Sequence, residues 1–320
     1  MSNPIRWGVI GTGGIARTFT RDLSFIEEGD VVAVGSRSLE SASAFADEFD
    51  VERRYGSYEA LVNDDDVDVV YVATPHPQHY ANTMLALKAG KPVLVEKAFT
   101  MSSQEARDLV REARERNLFL MEAMWTRFLP HVRALREIVA SGRLGRLVSF
   151  EADHGKWFVQ DENFRLFAPE LGGGALLDLG VYPVSFASML LGTPSRIAAI
   201  VDPTFTGVDG QASMVFGYDG GAHAVLTCTS LARTATRACL SGTDARIEIA
   251  GDFYAPTSFV VIDREGARES FEFDAQGRGL HYEAQEVARC IGDGRIESEL
   301  MPLDESVSIM ETMEQVLSFL

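Results

Sequence analysis

Up to Trp125, the chain alternates short apolar segments with segments of helical periodicity. The apolar segments are rich in Val, Ile and Leu and show little polar alternation, which is typical of parallel strands buried on both faces. Strands are predicted at Ile5–Ile10, Val31–Ser36, Val67–Thr74, Pro92–Glu96 and Leu118–Ala123. Helices are predicted at Ala16–Ile26, Leu39–Phe49, Tyr58–Val62, Tyr80–Ala89 and Ser103–Arg116. Because strands that alternate with helices form βαβ units, we predict a doubly wound parallel sheet with helices on both faces.

Beyond Trp125 the pattern changes to longer strands in which polar and apolar residues alternate. Gly-containing turns such as Asp219-Gly220-Gly221 join them, so a large, mostly antiparallel open sheet is predicted. Its strands are predicted at Leu147–His154, Arg196–Val201, Ala212–Phe216, Ala222–Thr229, Arg237–Ser241, Arg246–Ala250, Ser258–Asp263 and Glu269–Phe273. Helices are predicted at Pro130–Ser141, Leu179–Leu191, Tyr282–Ile291 and Asp304–Phe319. Because 320 residues exceed the usual size of one core, we expect two domains, residues 1–126 and an α+β domain of residues 127–320.

The composition limits the classes of partner and location. The formal net charge is −18 at pH 7, and an acidic surface repels phosphate backbones, so nucleic acid is not an expected partner. The three cysteines, Cys228, Cys239 and Cys290, form no CxxC pair, so neither a disulfide framework nor a zinc site is expected. No basic-then-apolar leader and no membrane-length apolar stretch is apparent, so we expect a cytoplasmic protein that does not enter membranes.

A glycine-rich turn follows the first predicted strand and opens the first helix. Its residues are Gly11, Thr12, Gly13, Gly14, Ile15 and Ala16. In this G-x-G-x-x-A pattern Gly11 permits a tight turn, Gly13 lets a pyrophosphate approach the backbone, and Ala16 keeps helix and strand close. The helix N-terminus then offers N–H donors to the phosphates. Alone, the pattern fits an ordinary glycine-rich turn equally well, but the flanking strands and helix fall where a Rossmann-type domain requires them, so dinucleotide binding is predicted.

The second predicted strand ends in Ser36-Arg37-Ser38, with no acidic residue. An NAD-preferring site normally has Asp or Glu here to bind the ribose 2′-hydroxyl, whereas an arginine flanked by hydroxyls suits a 2′-phosphate. We therefore predict that NADP(H) is preferred over NAD(H) and that Ser36, Arg37 and Ser38 belong to the cofactor site. In the alternative interpretation, Arg37 is a solvated residue at a helix start and Ser38 is only an N-cap.

Two further segments follow predicted strands, at the carboxyl ends where ligands bind in parallel sheets: Ala73–His79 and Val95–Ala98. With no cysteine or acidic cluster nearby, hydrogen-bonding or capping roles are expected for the two histidines, and no metal site is predicted. Lys97 is expected beside the nicotinamide, where its amine can hydrogen-bond a substrate hydroxyl; alternatively, it is an exposed lysine at a strand end. The residues assigned to the cofactor site here are Thr74, Pro75, His76, His79, Glu96 and Lys97.

These motifs resemble those of the Gfo/Idh/MocA family, which includes glucose–fructose oxidoreductases and inositol dehydrogenases. The resemblance covers essentially the whole chain. Beside the glycine-rich turn, Ala73–His79 matches the A-T-P-x-x-x-H loop, and Asp178–Tyr182 matches the D-x-x-x-H/Y signature. The E-K-P motif ends in Ala98 here, so the loop lacks a rigid proline. Met121–Phe128 and Gly172–Asp178 are similar to the branch of dimeric dihydrodiol dehydrogenases and NADP-dependent xylose dehydrogenases, which uses the residue matching Arg37 on the 2′-phosphate.

The resemblance implies catalytic roles for Lys97, Asp178 and Tyr182. Oxidation of an alcohol removes the hydroxyl proton as a hydride leaves carbon, and reduction of a ketone is the reverse. We expect Tyr182 to act as the acid and base while Lys97 orients the hydroxyl and stabilises the phenolate, although the two roles can be exchanged. Asp178 lies four residues before Tyr182, so the two share a helix face, and Asp178 is expected to hold the substrate or Lys97. Alternatively, Tyr182 is a core aromatic residue.

The predicted function is therefore NADP(H)-dependent hydride transfer to or from a CH–OH or C=O group of a sugar, polyol or cyclic diol. Aromatic faces suit a sugar or arene ring, and arginines suit hydroxyls or a carboxylate, but packing or interface roles are alternatives. The residues expected to line the substrate pocket on this basis are Trp125, Arg127, Trp157, Phe158 and Arg165. The resemblance also implies a homodimer or homotetramer assembled through the C-terminal sheet.

Two other functions are compatible with the same scaffold. One is a catalytically silent module that senses NADP or carries a regulatory partner, although a sensor has no need for the intact set of Lys97, Asp178 and Tyr182. The other is reduction of a conjugated double bond, as in bilin reductases, which does not require a lysine–tyrosine pair. Screening of sugars, polyols and cyclic diols with NADP+ discriminates the dehydrogenase from the sensor, since cofactor binding without turnover favours the sensor.

Overall fold

The computed structural model describes residues 4–320, which divide into two compact units. The first unit contains the residues up to Trp125 and the segment Gln276–Val307, and the second contains Thr126–Ala275 and Ser308–Leu320. The segment Gln276–Val307 thus differs from the sequence-based expectation, which assigned it to the C-terminal domain.

Backbone hydrogen bonds explain why Gln276–Val307 lies in the first unit. The Asp22 carboxylate accepts the N–H groups of Arg278 and Leu280, at 2.9 Å from Oδ2 in both cases. The N–H group of Leu120 donates to the carbonyl oxygen of Ile296 at 3.0 Å. These long-range partners are not visible as a periodic pattern in the sequence, so a single linear boundary was the simpler expectation.

The first unit is built on a sheet of six strands. They are β1 (Ile5–Ile10), β2 (Gly29–Gly35), β3 (Arg53–Tyr55), β4 (Val69–Val72), β5 (Val93–Glu96) and β6 (Leu120–Ala123). The connecting helices are α1 (Gly14–Leu23), α2 (Leu39–Phe49), α3 (Tyr58–Val62), α4 (His79–Lys88) and α5 (Ser103–Arg116). The strands are all parallel and lie in the order β3-β2-β1-β4-β5-β6. This order reverses direction between β1 and β4, which confirms the predicted doubly wound sheet.

Strand β3 was not predicted. Its three residues are all half-buried and include two arginines, so the sequence contains no apolar run at this position. The strand forms because β2 offers a free edge, on which Ala33 pairs with Arg53 and Gly35 pairs with Tyr55. The other five strands of this sheet were predicted, since β4, β5 and β6 are buried at every residue.

The second unit contains the large sheet. Its strands are β7 (Leu147–Gly155), β8 (Arg196–Pro203), β9 (Asp209–Gly217), β10 (His223–Thr229), β11 (Ala238–Gly242), β12 (Ala245–Ile249), β13 (Phe259–Asp263) and β14 (Arg268–Phe271). Helices α6 (Pro130–Ala140) and α7 (Val181–Leu191) belong to the same unit. The order is β14-β13-β12-β11-β7-β10-β9-β8, and every neighbouring pair is antiparallel except β7 and β10. The predicted, mostly antiparallel sheet is confirmed.

A π-helical turn, Leu176–Gly180, leads directly into α7, so the helical segment begins three residues earlier than predicted. All five residues of the turn are buried. The longer stretch Pro169–Leu191 has the length and apolar composition of a membrane span, but 78% of its apolar window is buried inside the structure. That burial is typical of the core helix of a globular unit.

The chain ends in two more helices, α8 (His281–Gly292) and α9 (Leu303–Leu317). Helix α8 belongs to the first unit, and the division between the units falls within α9, after Val307. Both helices were predicted to within two residues at each end, because their apolar residues recur with helical spacing.

Candidate active site

The glycine-rich turn lies between β1 and α1. Gly11 has a φ of +105°, and a Cβ atom there would lie 2.7 Å from the carbonyl oxygen of Ala73, so the position requires glycine. Gly13 is the N-cap of α1 and is exposed, with no atom within 4 Å of the position a Cβ would take. Ala16 is fully buried. The first N–H groups of α1 are therefore open to an anion, and this geometry can hold a phosphate.

Arg37 directly follows β2 and is exposed. Its guanidinium lies near the Tyr58 phenol. Burial raises the pKa of that phenol, and the positive charge of Arg37 offsets part of the rise. Among residues 4–320, Arg37 forms no ion pair, so its charge is available to an anionic ligand. Ser36 is buried, whereas the Ser38 hydroxyl accepts the N–H group of Ser41 at 3.2 Å and caps α2. The N-cap role considered for Ser38 is thus present in the structure.

Two histidines hold the backbone around Lys97. His76 Nε2 lies 3.1 Å from the carbonyl oxygen of Lys97. The two ring nitrogens of His79 lie 2.8 Å from carbonyl oxygens, Nδ1 from that of Ala98 and Nε2 from that of Thr74. Burial lowers the pKa of His79, and a neutral ring has one N–H to donate. The end of β5 is thereby tied to the loop after β4, and the Lys97–Ala98 peptide is cis.

His79 has the hydrogen-bonding role expected of it, but its contacts differ from those of a residue that binds a cofactor directly. The residue has no exposed surface, and both nitrogens face backbone oxygens, so its ring braces the loop and does not line a cofactor surface. His76 is 8% exposed and Thr74 is 7% exposed, while Pro75 is exposed. Lys97 itself is half-buried, as expected for a lysine at the mouth of a strand.

The side chain of Glu96 turns toward a buried carboxyl cluster. It is 4% exposed, and the Tyr71 hydroxyl donates to its Oε1. Burial first, and then the charges of Glu96 and Asp22, raise the pKa of the Glu283 carboxyl well above its ordinary value. Neither carboxyl oxygen of Glu283 has a hydrogen-bond partner among residues 4–320. Glu96 was predicted as a cofactor residue, and its carboxylate instead belongs to this cluster.

In the second unit, Asp178 lies in the π-helical turn and is 7% exposed. The guanidinium of Arg165 binds it through both nitrogens, with Nη1 3.1 Å from Oδ1 and Nη2 3.0 Å from Oδ2. Such a bidentate pair fixes both the position and the plane of the carboxylate. The structure thus brings together two residues that the sequence singled out separately.

Tyr182 lies one turn after Asp178, in a cluster of aromatic rings. The ring of His154 meets it edge-on at 5.3 Å, and the ring of Tyr254 lies 4.8 Å away. His154 and Tyr254 stack at 4.4 Å, and the Lys156 ammonium lies 5.0 Å from the Tyr254 centroid. Tyr182 is 7% exposed, so packing fixes the direction of its ring. The alternative of a core aromatic residue describes its surroundings, but it does not conflict with a reacting hydroxyl at the end of the ring.

The remaining predicted pocket residues have different surroundings. Arg127 is 1% exposed, and it donates from Nε to Ser185 Oγ at 3.0 Å and from Nη2 to the Ser185 carbonyl at 2.8 Å. It therefore anchors α7, and the expectation that it lines a ligand pocket is not supported by its burial. Trp125 is also buried, Phe158 is half-buried, and Trp157 is 64% exposed.

Four residues near the predicted site were missed: His154, Tyr254, Asp209 and Glu283. His154 ends a predicted strand as a buried polar residue, which was the one available signal. The other three lie far along the chain from the residues they approach, so spacing carries no information about them.

Two family descriptions match the chain. Residues 5–124 match "Oxidoreductase family, NAD-binding Rossmann fold", and residues 132–252 match "GFO/IDH/MocA C-terminal domain". Among curated relatives, trans-1,2-dihydrobenzene-1,2-diol dehydrogenases from Bos taurus and Homo sapiens are each 39% identical over 325 residues, covering 98% of this chain and 96% of theirs. D-xylose 1-dehydrogenase (NADP(+)) from Hypocrea jecorina is 34% identical over 357 residues, covering 98% and 91%.

The chain also superimposes on solved structures of oxidoreductases. A 3-ketoreductase from Actinomadura kijaniata, in complex with NADP and TDP-benzene, superimposes with a TM-score of 0.87 at 29% identity, covering 99% of this chain and 98% of that one. An NAD binding oxidoreductase from Klebsiella pneumoniae has a TM-score of 0.89 at 20% identity, covering 99% and 97%. At that lower identity the likeness concerns the fold alone.

Proposed function

The chain belongs to the Gfo/Idh/MocA family of NAD-binding oxidoreductases, and from this premise we propose that it transfers a hydride between NADP(H) and a CH–OH or C=O group of a sugar, polyol or cyclic diol. The observation that supports the proposal lies in the first unit. The open N-terminus of α1 at Gly13 and Lys97, directly after β5, both lie at the carboxyl ends of the parallel strands. The diol and xylose dehydrogenase relatives support the two substrate classes.

For the cofactor, we assign the pyrophosphate to the turn Gly11–Ala16 and the 2′-phosphate to Arg37. The positive φ of Gly11 and the open space at Gly13 suit the former. The charge of Arg37, which pairs with no acidic side chain in the described range 4–320, suits the latter. When bound, NADP(H) takes up or supplies the hydride. Ser36, Ser38, Thr74, Pro75 and His76 complete the proposed cofactor site. His79 acts indirectly, through the loop it braces.

The chain's own residues handle the proton. Alcohol oxidation breaks the O–H bond as the C–H bond gives up its hydride, so a base must accept the proton, and ketone reduction returns it. We assign proton transfer to the Tyr182 hydroxyl and hydrogen bonding of the substrate oxygen to the Lys97 amine. Asp178 is paired with Arg165, so its role is to orient that guanidinium for the substrate. Trp125, Trp157 and Phe158 remain candidates for the pocket wall.

We also propose a homodimer, in the cytoplasm, that assembles through the large sheet. Side chains on one face of β8, β9 and β10 are exposed, and they include Ile200 at 71%, Val215 at 48% and Val225 at 46%. The residues that alternate with them are buried on β9 and β10 and half-buried or buried on β8. A mixed, partly apolar face of this kind suits association with a second copy.

The test is a turnover assay with NADP+ across aldoses, polyols and cyclic diols, with the absorbance of the reduced nicotinamide as the readout. We expect turnover with at least one class, and a loss of about 10²- to 10⁴-fold in Lys97→Ala and in Tyr182→Phe. NADPH affinity in both variants should stay close to that of the parent. The matched controls Lys88→Ala and Tyr282→Phe, on α4 and α8, should keep parental rates.

Three outcomes contradict the proposal. Binding of NADPH without turnover of any substrate class favours the catalytically silent sensor. Parental rates in both Lys97→Ala and Tyr182→Phe end the assignment of the proton-transfer residues, and turnover of a conjugated double bond in those variants points to the bilin-reductase type of chemistry.

A further inference from the structure

The π-helical turn that carries Asp178 is held by three neighbouring strands of the large sheet. Strands β7, β10 and β9 lie side by side, and His154, Cys228 and Ala212 occupy one register row across them. His154 Nδ1 lies 3.1 Å from the carbonyl oxygen of Leu179, within the turn. On β10, Cys228 packs so closely that a Cβ on Gly180 would lie 2.9 Å from its sulfur. A side chain at residue 180 would therefore have to displace the Cys228 sulfur.

The third contact comes from Asp209, the first residue of β9. Its Oδ2 accepts the N–H group of Leu176 at 2.6 Å, and the N–H group of Ala175 also donates to this carboxylate. Asp209 is 4% exposed. Burial raises the pKa of its carboxyl, and the N–H groups of Leu176 and Ala175 act in the opposite direction. A carboxylate at this position satisfies N–H groups that the start of a helix leaves open, and it complements the positive end of the helix dipole.

The contacts of Gly174 show why a glycine stands shortly before the turn at this position. Its φ is +130°, and a Cβ atom on it would overlap Oδ1 of Asp209. The backbone therefore approaches the carboxylate as closely as it can, and any side chain at residue 174 would push the two apart. The Asp209 carboxylate and the turn are fitted to each other.

We propose that Asp209 is a positioning residue for the reaction, because it fixes the start of the turn that carries Asp178 and leads directly into α7, where Tyr182 lies. A π-helical turn changes the angle between residues four apart relative to a regular helix, and such turns are frequent at functional sites. The direction of Tyr182 relative to Asp178 thus depends on where this turn begins, which the Asp209 carboxylate sets. The inference rests on the proposed function, in which the Tyr182 hydroxyl transfers the proton. Misplacement of a reacting group by about 1 Å can lower a rate about 10²-fold.

The experiment compares Asp209→Asn, Asp209→Ala and Gly174→Ala with the parent, using NADP+ and the best substrate of the screen. We expect kcat to fall about tenfold in Asp209→Asn, which keeps an oxygen acceptor, and about a hundredfold in Asp209→Ala. Gly174→Ala, which displaces the carboxylate without removing it, should behave like Asp209→Asn. The control Asp219→Asn, an exposed aspartate in the turn between β9 and β10, should match the parent.

Two readouts separate positioning from a general loss of structure. The dissociation constant for NADPH should change less than twofold, and the solvent deuterium isotope effect on kcat should rise because proton transfer becomes slower. If Asp209→Ala does not fold, the comparison of Asp209→Asn and Gly174→Ala with the parent still tests the inference. A kcat within twofold of the parent in the folded variants, or an unchanged isotope effect, overturns the inference. Parental turnover in Tyr182→Phe would instead overturn the proposed function.

Discussion

The carboxylate of Asp178 and the guanidinium of Arg165 face each other in parallel, joined by two contacts of 3.1 and 3.0 Å. The carboxylate is nearly buried, while 52% of the Arg165 side chain is exposed. The arginine therefore presents one edge to the interior of the second unit and its other edge to solvent. A half-exposed ion pair of this kind adds little to stability, so its geometry is the more important property.

Replacement of Arg165 tests this geometry. We expect Arg165→Met to lower kcat/KM about tenfold, because it removes the guanidinium that Asp178 orients for the substrate. Arg165→Lys should not restore the rate, since an ammonium cannot form the bidentate contact. Steady-state kinetics of the two variants, with Arg264→Ala as an exposed-arginine control, provide the measurement. Full activity in Arg165→Lys would mean that only the charge matters.

Arg37 determines the second prediction, which concerns cofactor preference. We expect Arg37→Ala to weaken NADP+ binding about ten- to a hundredfold, because a charge-assisted bond to the 2′-phosphate is lost. Binding of NAD+, which lacks that phosphate, should change little. Titration of both cofactors by intrinsic fluorescence gives the two dissociation constants, with Arg116→Ala on α5 as the control. An equal loss for NAD+ and NADP+ would show that Arg37 supports the fold near Tyr58 and does not select the cofactor.

The sequence predicted the first unit well because its signals are local. The apolar strands and the G-x-G-x-x-A turn can each be recognised from a segment of about ten residues, and Gly11 has the positive φ that the motif requires. The same local reading missed β3, which exists only because β2 has an edge to pair with. It also placed Gln276–Val307 in the wrong unit, since Asp22 lies more than 250 residues away from the N–H groups it binds.

The motif residues of the candidate site could be predicted from the sequence. The residues that hold those motif residues in place could not. Asp178 and Tyr182 belong to a recognisable signature, but Asp209 is an ordinary aspartate at the start of a strand until the fold brings it to Leu176. Arg127 differs from the expectation that it lines a pocket. Its guanidinium suits a ligand, yet the structure buries it and it binds Ser185. His79 has the hydrogen-bonding role expected of it, with backbone oxygens as its partners.

His131 of α6 underlies a prediction about acid stability. Burial lowers its pKa to about 4, and Nε2 lies 3.2 Å from the carbonyl oxygen of Phe253. Among residues 4–320, Nδ1 has no hydrogen-bond partner, so a second proton would be buried without an acceptor. Because the folded pKa lies below the unfolded value of about 6.5, this group contributes stability above pH 6.5 that is lost as the pH falls toward 4.

The difference between a pKa of about 6.5 in the unfolded chain and about 4 in the folded chain corresponds to about 3 kcal/mol of stability. Thermal unfolding of the whole chain between pH 7 and pH 4 should show a falling Tm, and His131→Gln should flatten that fall. His223→Gln, at an exposed position of β10, serves as the control. The same pH slope in His131→Gln and the parent would assign the acid sensitivity to other groups.

The last prediction concerns the exposed face of the large sheet. Val215 on β9 pairs with Val225 on β10 and with Ala198 on β8, so it lies at the centre of the partly apolar face. A stable dimer buries about 800 Å² on each partner, and a charge at the centre of such an area loses its solvent without gaining a partner. We therefore expect Val215→Arg to convert a dimer into a monomer.

Light scattering coupled to gel filtration at micromolar concentration measures the mass directly. Val159→Arg, at a 66% exposed position beyond the end of β7, should remain dimeric. An unaltered dimer mass in Val215→Arg would place the interface elsewhere, and a monomeric parent would refute the proposed assembly.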